Sequence, residues 1–177
     1  MEVLTWRGLA TYYVLFFLHL KTRRITLAGI TRHPTEEWMV QMARRAVDPV
    51  DGALLPIRFV LHDRDSKFCA SFQDTLRSAG IQPINLPASS PNLNAFAERW
   101  VRSIKSECLS KLILFGEDSL RRAVTQFIEH YHLERPHQGK DNQLLFPSLV
   151  RSPSQNFSCI QCHERLGGLL KFYQRAA

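Results

Sequence analysis

Between Leu9 and Leu20 the chain reads LATYYVLFFLHL, twelve residues without a single Asp, Glu, Lys or Arg. Such a run calls for burial. Twelve residues are too few to cross a bilayer as a helix. A secretory signal would need a small-residue cleavage site where Lys21-Thr22-Arg23-Arg24 stands. The run is rich in β-branched and aromatic residues, so a buried β-strand accounts for it best.

Around that strand the apolar spacing sets out an order of elements. Met1–Trp6, Ala10–His19 and Ile25–Ile30 read as three strands, with Arg7-Gly8 and Lys21–Arg24 as polar turns between them. Thr35 caps a helix whose first turn carries Glu36 and Glu37, and whose apolar side is Trp38, Met39, Met42, Ala43 and Ala46. A strand over Ile57–Leu61, a helix over Ser71–Ala79 ending at Gly80, and a strand over Ile81–Leu86 follow. The segment Pro87–Asn94 is a loop. Helices then cover Ala95–Leu112 and Ser119–Leu133, the second ended by Pro136. The spacing predicts an α/β fold: a mixed sheet of three antiparallel strands followed by alternating helices and strands, with helices on both sides. Residues 1–148 are expected to form one domain and 149–177 a C-terminal tail.

The whole chain has 177 residues, room for one domain with a real core and too little for two. Its net charge of +7, from 23 Lys and Arg against 16 Asp and Glu, makes a polyanion a plausible partner. The four cysteines, Cys69, Cys108, Cys159 and Cys162, are scattered, which suits free thiols in a reducing cytoplasm. Cys159-Ile160-Gln161-Cys162-His163 has the spacing of a haem-attachment pattern, but neither an export signal nor a haem-sized pocket accompanies it. No second ligand pair stands at zinc spacing. Neither haem nor zinc is expected.

Asp63 and Glu98 form the candidate chemical site. Asp63 stands just past the end of a strand, where ligands gather in α/β sheets, and Glu98 lies in the first turn of the long helix. Two carboxylates on rigid elements are the parts needed to hold hard divalent cations. The residues alone leave other readings open. Asp63 can cap a turn, and Asp65 competes with it. Glu98 can serve the helix dipole with Arg102 as its i,i+4 partner. Along the same helix Glu98, Arg102 and Lys105 make one stripe beside the apolar face of Ala97, Trp100, Val101, Ile104 and Cys108.

Three linked motifs narrow this choice. His62-Asp63-Arg64-Asp65-Ser66-Lys67-Phe68 and Ser89-Ser90-Pro91-Asn92-Leu93-Asn94-Ala95-Phe96-Ala97-Glu98-Arg99 resemble the second and third acidic motifs of the DDE integrase/transposase catalytic cores. Thirty-four residues separate Asp63 from Glu98, the family's spacing. His130-Tyr131-His132-Leu133-Glu134-Arg135-Pro136-His137-Gln138 resembles a segment common in the bacterial insertion-sequence branch. The resemblance covers roughly residues 1 to 148. It implies an RNase H-like fold, Asp63 and Glu98 as catalytic metal ligands, two Mg2+ or Mn2+ ions, and cleavage and strand transfer of DNA. It further implies that Arg102 and Lys105 contact DNA, although a solvated helix face remains the alternative. Transposon ends and target DNA are the implied partners, with a homo-oligomer as the active form, no membrane, and a cytoplasmic location.

The family's first catalytic Asp aligns a few residues before Met1, and no residue here fills its place; Glu2 falls on the opposite strand face. The expectation is a core truncated within its first strand and inactive alone. A non-enzymatic DNA-binding remnant or regulator is the alternative reading.

Overall fold

The apolar run forms two strands rather than one, because its two halves pair with different neighbours. The structure is a computed structural model that describes residues 1–87, 91–147 and 160–175. Strand β1 (Glu2–Thr5) pairs antiparallel with β2 (Gly8–Thr11), and β3 (Tyr13–Leu18) with β4 (Ile25–Thr31). Only Tyr12 separates β2 from β3. Its N–H donates to the Met1 carbonyl at 2.7 Å and its carbonyl accepts from the Met1 amino group at 2.9 Å. At the far end His19 N–H donates to the Arg24 carbonyl at 2.9 Å. Successive N–H groups of an extended chain face opposite edges, so β1 and β4 flank this run on opposite sides.

The rest follows in the order α1 (Glu36–Ala46), β5 (Phe59–His62), α2 (Ala70–Ser78), β6 (Gln82–Asn85), α3 (Pro91–Glu107) and α4 (Gly116–Leu133). A hairpin of β7 (Ile160–Arg165) and β8 (Leu170–Arg175) comes last. Strands β5 and β6 are parallel, with α2 as the crossover. The expected α/β class therefore holds, but the expected single sheet does not appear. Backbone pairing forms four two-stranded ladders, and among the described residues none of them joins β3 to β5. Side chains make that join instead.

Alternation along β3 is what builds the layers. Leu15 and Phe17 pack with Met39 and Ala43 of α1, Phe72 and Leu76 of α2, and Val60 of β5. Val14, Phe16 and Leu18 point the other way, into Trp100 and Ile104 of α3 and Leu120, Val124 and Phe127 of α4. A strand covered on both faces reads as a continuous apolar run rather than an alternating one. In β4 a bulge places one extra residue, Ala28, opposite the Leu15/Phe16 step. The shift of face that a bulge brings keeps Ile25, Leu27 and Ile30 together on the α3/α4 side. It also turns Gly29 toward α1.

Local signals set most boundaries. Thr35 caps α1, its hydroxyl accepting from Trp38 N–H at 3.3 Å. Gly80 follows α2 with φ +78°, a conformation glycine adopts without a Cβ penalty. Other boundaries move. Helix α3 begins at Pro91, not Ala95, since proline is tolerated in a first helical turn. It ends at Glu107, and Leu109–Lys111 form a short 3-10 turn. Helix α4 starts at Gly116, three residues before Ser119, and gains Glu117 and Asp118 in its first turn. Ile57 belongs to a turn, its N–H donating to the Leu54 carbonyl at 2.8 Å, so β5 starts at Phe59.

The apolar spacing after Pro147 marks no element, yet β7 and β8 close a hairpin through Leu166, Gly167 and Gly168 at φ +52°, +66° and +86°. Leu170 inserts into the α3/α4 core. Arg165 grips Glu134 and Glu129, and Leu166 N–H donates to Gln126 Oε1 at 3.1 Å. Cys159 lies outside the described residues.

Gly29 is where α1 comes closest to the sheet. A Cβ built there lies 2.5 Å from Met42 Sδ and 2.8 Å from Trp38 Cζ2. Gly29→Ala is therefore expected to lower unfolding stability by about 1–3 kcal/mol through overpacking. Urea denaturation checks this. A variant as stable as the parent would mean that Trp38 and Met42 yield freely.

Candidate functional site

Asp63 is the first residue beyond β5, and its side chain is exposed. Its Oδ1 accepts from Asp65 N–H at 3.2 Å, which opens a tight turn. Asp65 is more heavily engaged. It accepts from Lys67 N–H at 2.9 Å and holds Lys67 Nζ at 2.9 and 3.0 Å. The Lys67 backbone bond, and then the ammonium bond, hold the Asp65 carboxyl below its ordinary range. Asp65 thus belongs to Lys67, whereas Asp63 keeps more of its oxygen capacity.

The turn is anchored from behind. His62 is buried, its Nδ1–H donating to the Asp63 carbonyl at 2.8 Å and its ring lying 4.8 Å from that of Phe68. The His62 Nε2 atom is buried without a hydrogen-bond partner among the described residues. Arg64 Nε donates to the Leu86 carbonyl at 3.1 Å, tying the turn to the end of β6. Arg64, Asp65, Ser66, Phe68 and Asn85 line an open cleft of about 410 Å³ beside it.

Glu98 falls in the second turn of α3, not the first, because the helix starts earlier than its apolar spacing indicates. The dipole weakens beyond the first turn, so that explanation for Glu98 loses force. Glu98, Arg102 and Lys105 are all exposed, and none of them makes an ion pair among the described residues. The i,i+4 pairing of Glu98 with Arg102 is not formed. No hydrogen bond or ion pair links Asp63 with Glu98 among the described residues. Nor do any three His, Cys, Asp or Glu residues gather at metal-binding range there.

The His130–Gln138 segment is a structural junction. His130 Nδ1 bonds Glu134 at 2.9 Å, and Glu134 also takes Arg165. Burial pushes the Glu134 carboxyl up, but the bonds from Arg165 and His130 outweigh it and leave the pKa lowered. Arg135 makes a two-point bond to Glu107 of α3, at 2.8 and 2.7 Å. Tyr131 packs edge-on against Trp100, and His137 Nε2–H donates to the Tyr131 carbonyl at 2.8 Å. His132 Nε2 accepts from Ile25 N–H at 2.9 Å, satisfying the first amide of β4. That bond requires a neutral ring. Among the described residues no helix is long and apolar enough to cross a membrane.

Residues 79–143 match the family model described as Integrase core domain. Over that stretch the chain is similar to the integrase cores of the DDE integrase/transposase family. The match takes in Glu98, Arg102, Lys105 and the whole His130–Gln138 segment; Asp63 lies upstream of it. None of the curated proteins compared matches the chain.

His132 also sets a pH dependence. Burial, and then the nearby charge of Arg24, lowers its pKa from 6.5 to about 4. The unfolded chain therefore binds this proton more readily than the folded one. The His132 contribution to stability is complete above about pH 6.5 and is lost as pH falls toward 4. Between pH 7 and 4.5, His132→Gln is expected to remove part of the fall in urea midpoint. Parallel profiles for the two proteins would show that His132 does not titrate in this way.

Proposed function

We propose that the chain works in DNA integration or transposition, as an RNase H-like core that binds the DNA backbone along α3 and carries Asp63 and Glu98 as its acidic residues. In this reading residues 1–148 form the core, and the β7–β8 hairpin is an appendage docked on α4. The observation that carries it is the integrase-core match over residues 79–143 together with Glu98, Arg102 and Lys105, exposed on one helix stripe and free of ion pairs among the described residues. Cations that compensate no carboxylate are available to phosphates.

The expected cofactor is Mg2+ or Mn2+. Carboxylate oxygens suit such hard ions, and Asp63 keeps oxygen capacity that Asp65 gives to Lys67. Among the described residues no three His, Cys, Asp or Glu side chains gather at metal-binding range. The second reading is a DNA-binding protein without strand-transfer activity of its own. Partners in the first reading are transposon ends, target DNA and further copies of the chain, with a cytoplasmic location.

Two sets of variants separate the readings. Arg102→Ala with Lys105→Ala is expected to weaken binding to unrelated duplexes by a similar factor. The slope of log K against log salt should become shallower by about 2. Asp63→Asn and Glu98→Gln are expected to leave binding intact and to abolish any Mg2+- or Mn2+-dependent nicking. Unchanged affinity and slope in the Arg102/Lys105 variant would end the DNA role for that stripe. Nicking that survives both acidic substitutions would end the site assignment.

A further inference from the structure

The turn between β3 and β4 is built to aim one side chain. His19 Nδ1 lies 2.7 Å from Thr22 Oγ1 and accepts from Thr22 N–H at 3.2 Å, while Arg23 N–H donates to the His19 carbonyl at 2.8 Å. Within this closed turn Arg23 sits at φ +64°. A side chain disfavours that left-handed region, which Gly, Asn and Asp tolerate better. Such an outlier is a reason to ask what the side chain does.

The Arg23 guanidinium lies over the Phe96 ring of α3, its Cζ 3.1 Å from the ring centroid, and bonds the Leu20 carbonyl through Nη1. Stacking fixes a guanidinium plane and leaves its remaining N–H groups at the rim. Arg99 is one helical turn beyond Phe96 on the same side of α3, and is exposed. Neither arginine makes an ion pair among the described residues, in contrast to Arg135 and Arg165. Burial lowers the Arg23 pKa first, and the like charge of Arg99 adds to it against the opposing effect of Tyr131. Two cations share one neighbourhood, and among the described residues no carboxylate is paired to either.

Position links this pair to the helix stripe. Arg99, Arg102 and Lys105 recur every third residue, a spacing that drifts diagonally around a helix of 3.6 residues per turn. Arg23 continues that diagonal off α3 and onto the β3–β4 turn, past Phe96. We infer that Arg23 and Arg99 form a second backbone-phosphate site, which extends the Arg102/Lys105 stripe into one cationic track across α3. The inference rests on the DNA reading above. The ligand is the phosphodiester backbone, so the track is indifferent to base sequence.

The test is fluorescence anisotropy with one 20-base-pair duplex across a salt series. It uses the whole chain, Arg23→Gln/Arg99→Gln, Arg102→Ala/Lys105→Ala, and the four substitutions combined. The Arg23/Arg99 variant is expected to flatten the salt slope by about 2, and the combined variant by about 4. Arg23→Lys is expected to keep the parent slope and weaken binding about threefold, since an ammonium has no plane to stack on the ring. Phe96→Leu should act in the same direction. Arg99→Gln alone, at an exposed position, should flatten the slope by about 1 even if the turn tolerates no change at Arg23. If the parent binds but Arg99→Gln and the Arg23/Arg99 variant keep its slope, the pair only clamps the turn, and the stripe reading survives. If the parent binds no duplex, both this inference and the DNA reading fall.

Discussion

Everything in this fold leans on the two-sided burial of β3. Leu15 and Phe17 lie under α1 and α2, and Val14, Phe16 and Leu18 under α3 and α4. One short strand therefore belongs to both cores. At about 25 cal/mol per Å2 of apolar surface removed from water, a strand buried on both faces contributes about twice what a half-exposed one does. The contribution matters more here because backbone pairing does not connect the ladders. Leu15 and Phe17 join β3 to the cluster in which α1 and α2 pack with Val60 of β5.

The second constraint is the junction at the end of α4. Four residues of one short segment reach four different places. His130 joins Glu134 and, through it, the C-terminal hairpin. His132 takes the first amide of β4. Arg135 clasps Glu107 on α3, and His137 folds back on the Tyr131 carbonyl. The effect is to hold α3 at a set angle to the sheet. The face of α3 turned away from Trp100 and Ile104 is then the one that carries Glu98, Arg99, Arg102 and Lys105. The His130–Gln138 segment thus ties α4 to α3, β4 and the C-terminal hairpin.

The contrast among charged groups follows the same line. Arg135 and Arg165 are partly buried and matched by carboxylates, as the cost of desolvating an unpaired charge requires. The cations around Glu98 are exposed and unmatched among the described residues. Asp65 is tied to Lys67, while Asp63 is held mainly through its backbone and one short turn bond. Glu107, Glu134, Arg135 and Arg165, which tie elements together, are paired; Asp63 and the charges facing outward along α3 make no ion pair among the described residues.

Much of the fold was legible in the residues. The apolar run required a strand, Thr35 a helix start, and Gly80 a helix stop. The spacing of Trp100 and Ile104 marked the buried face of α3, and the motif around Glu98 with the His130–Gln138 segment pointed to the family whose model matches residues 79–143. These features are local or periodic, so sequence expresses them directly. Tertiary structure decided the rest. Pairing with β1 along one half and β4 along the other divided the run at Tyr12, and a bulge at Ala28 kept Ile30 on the α3/α4 side. Docking of Leu170 and Arg165 made a hairpin from a segment without an apolar period. The partnership of Arg23 with Phe96 spans more than seventy residues and follows no spacing rule. Contacts between distant segments depend on where the chain turns in space, and that is settled only when the two cores close on β3.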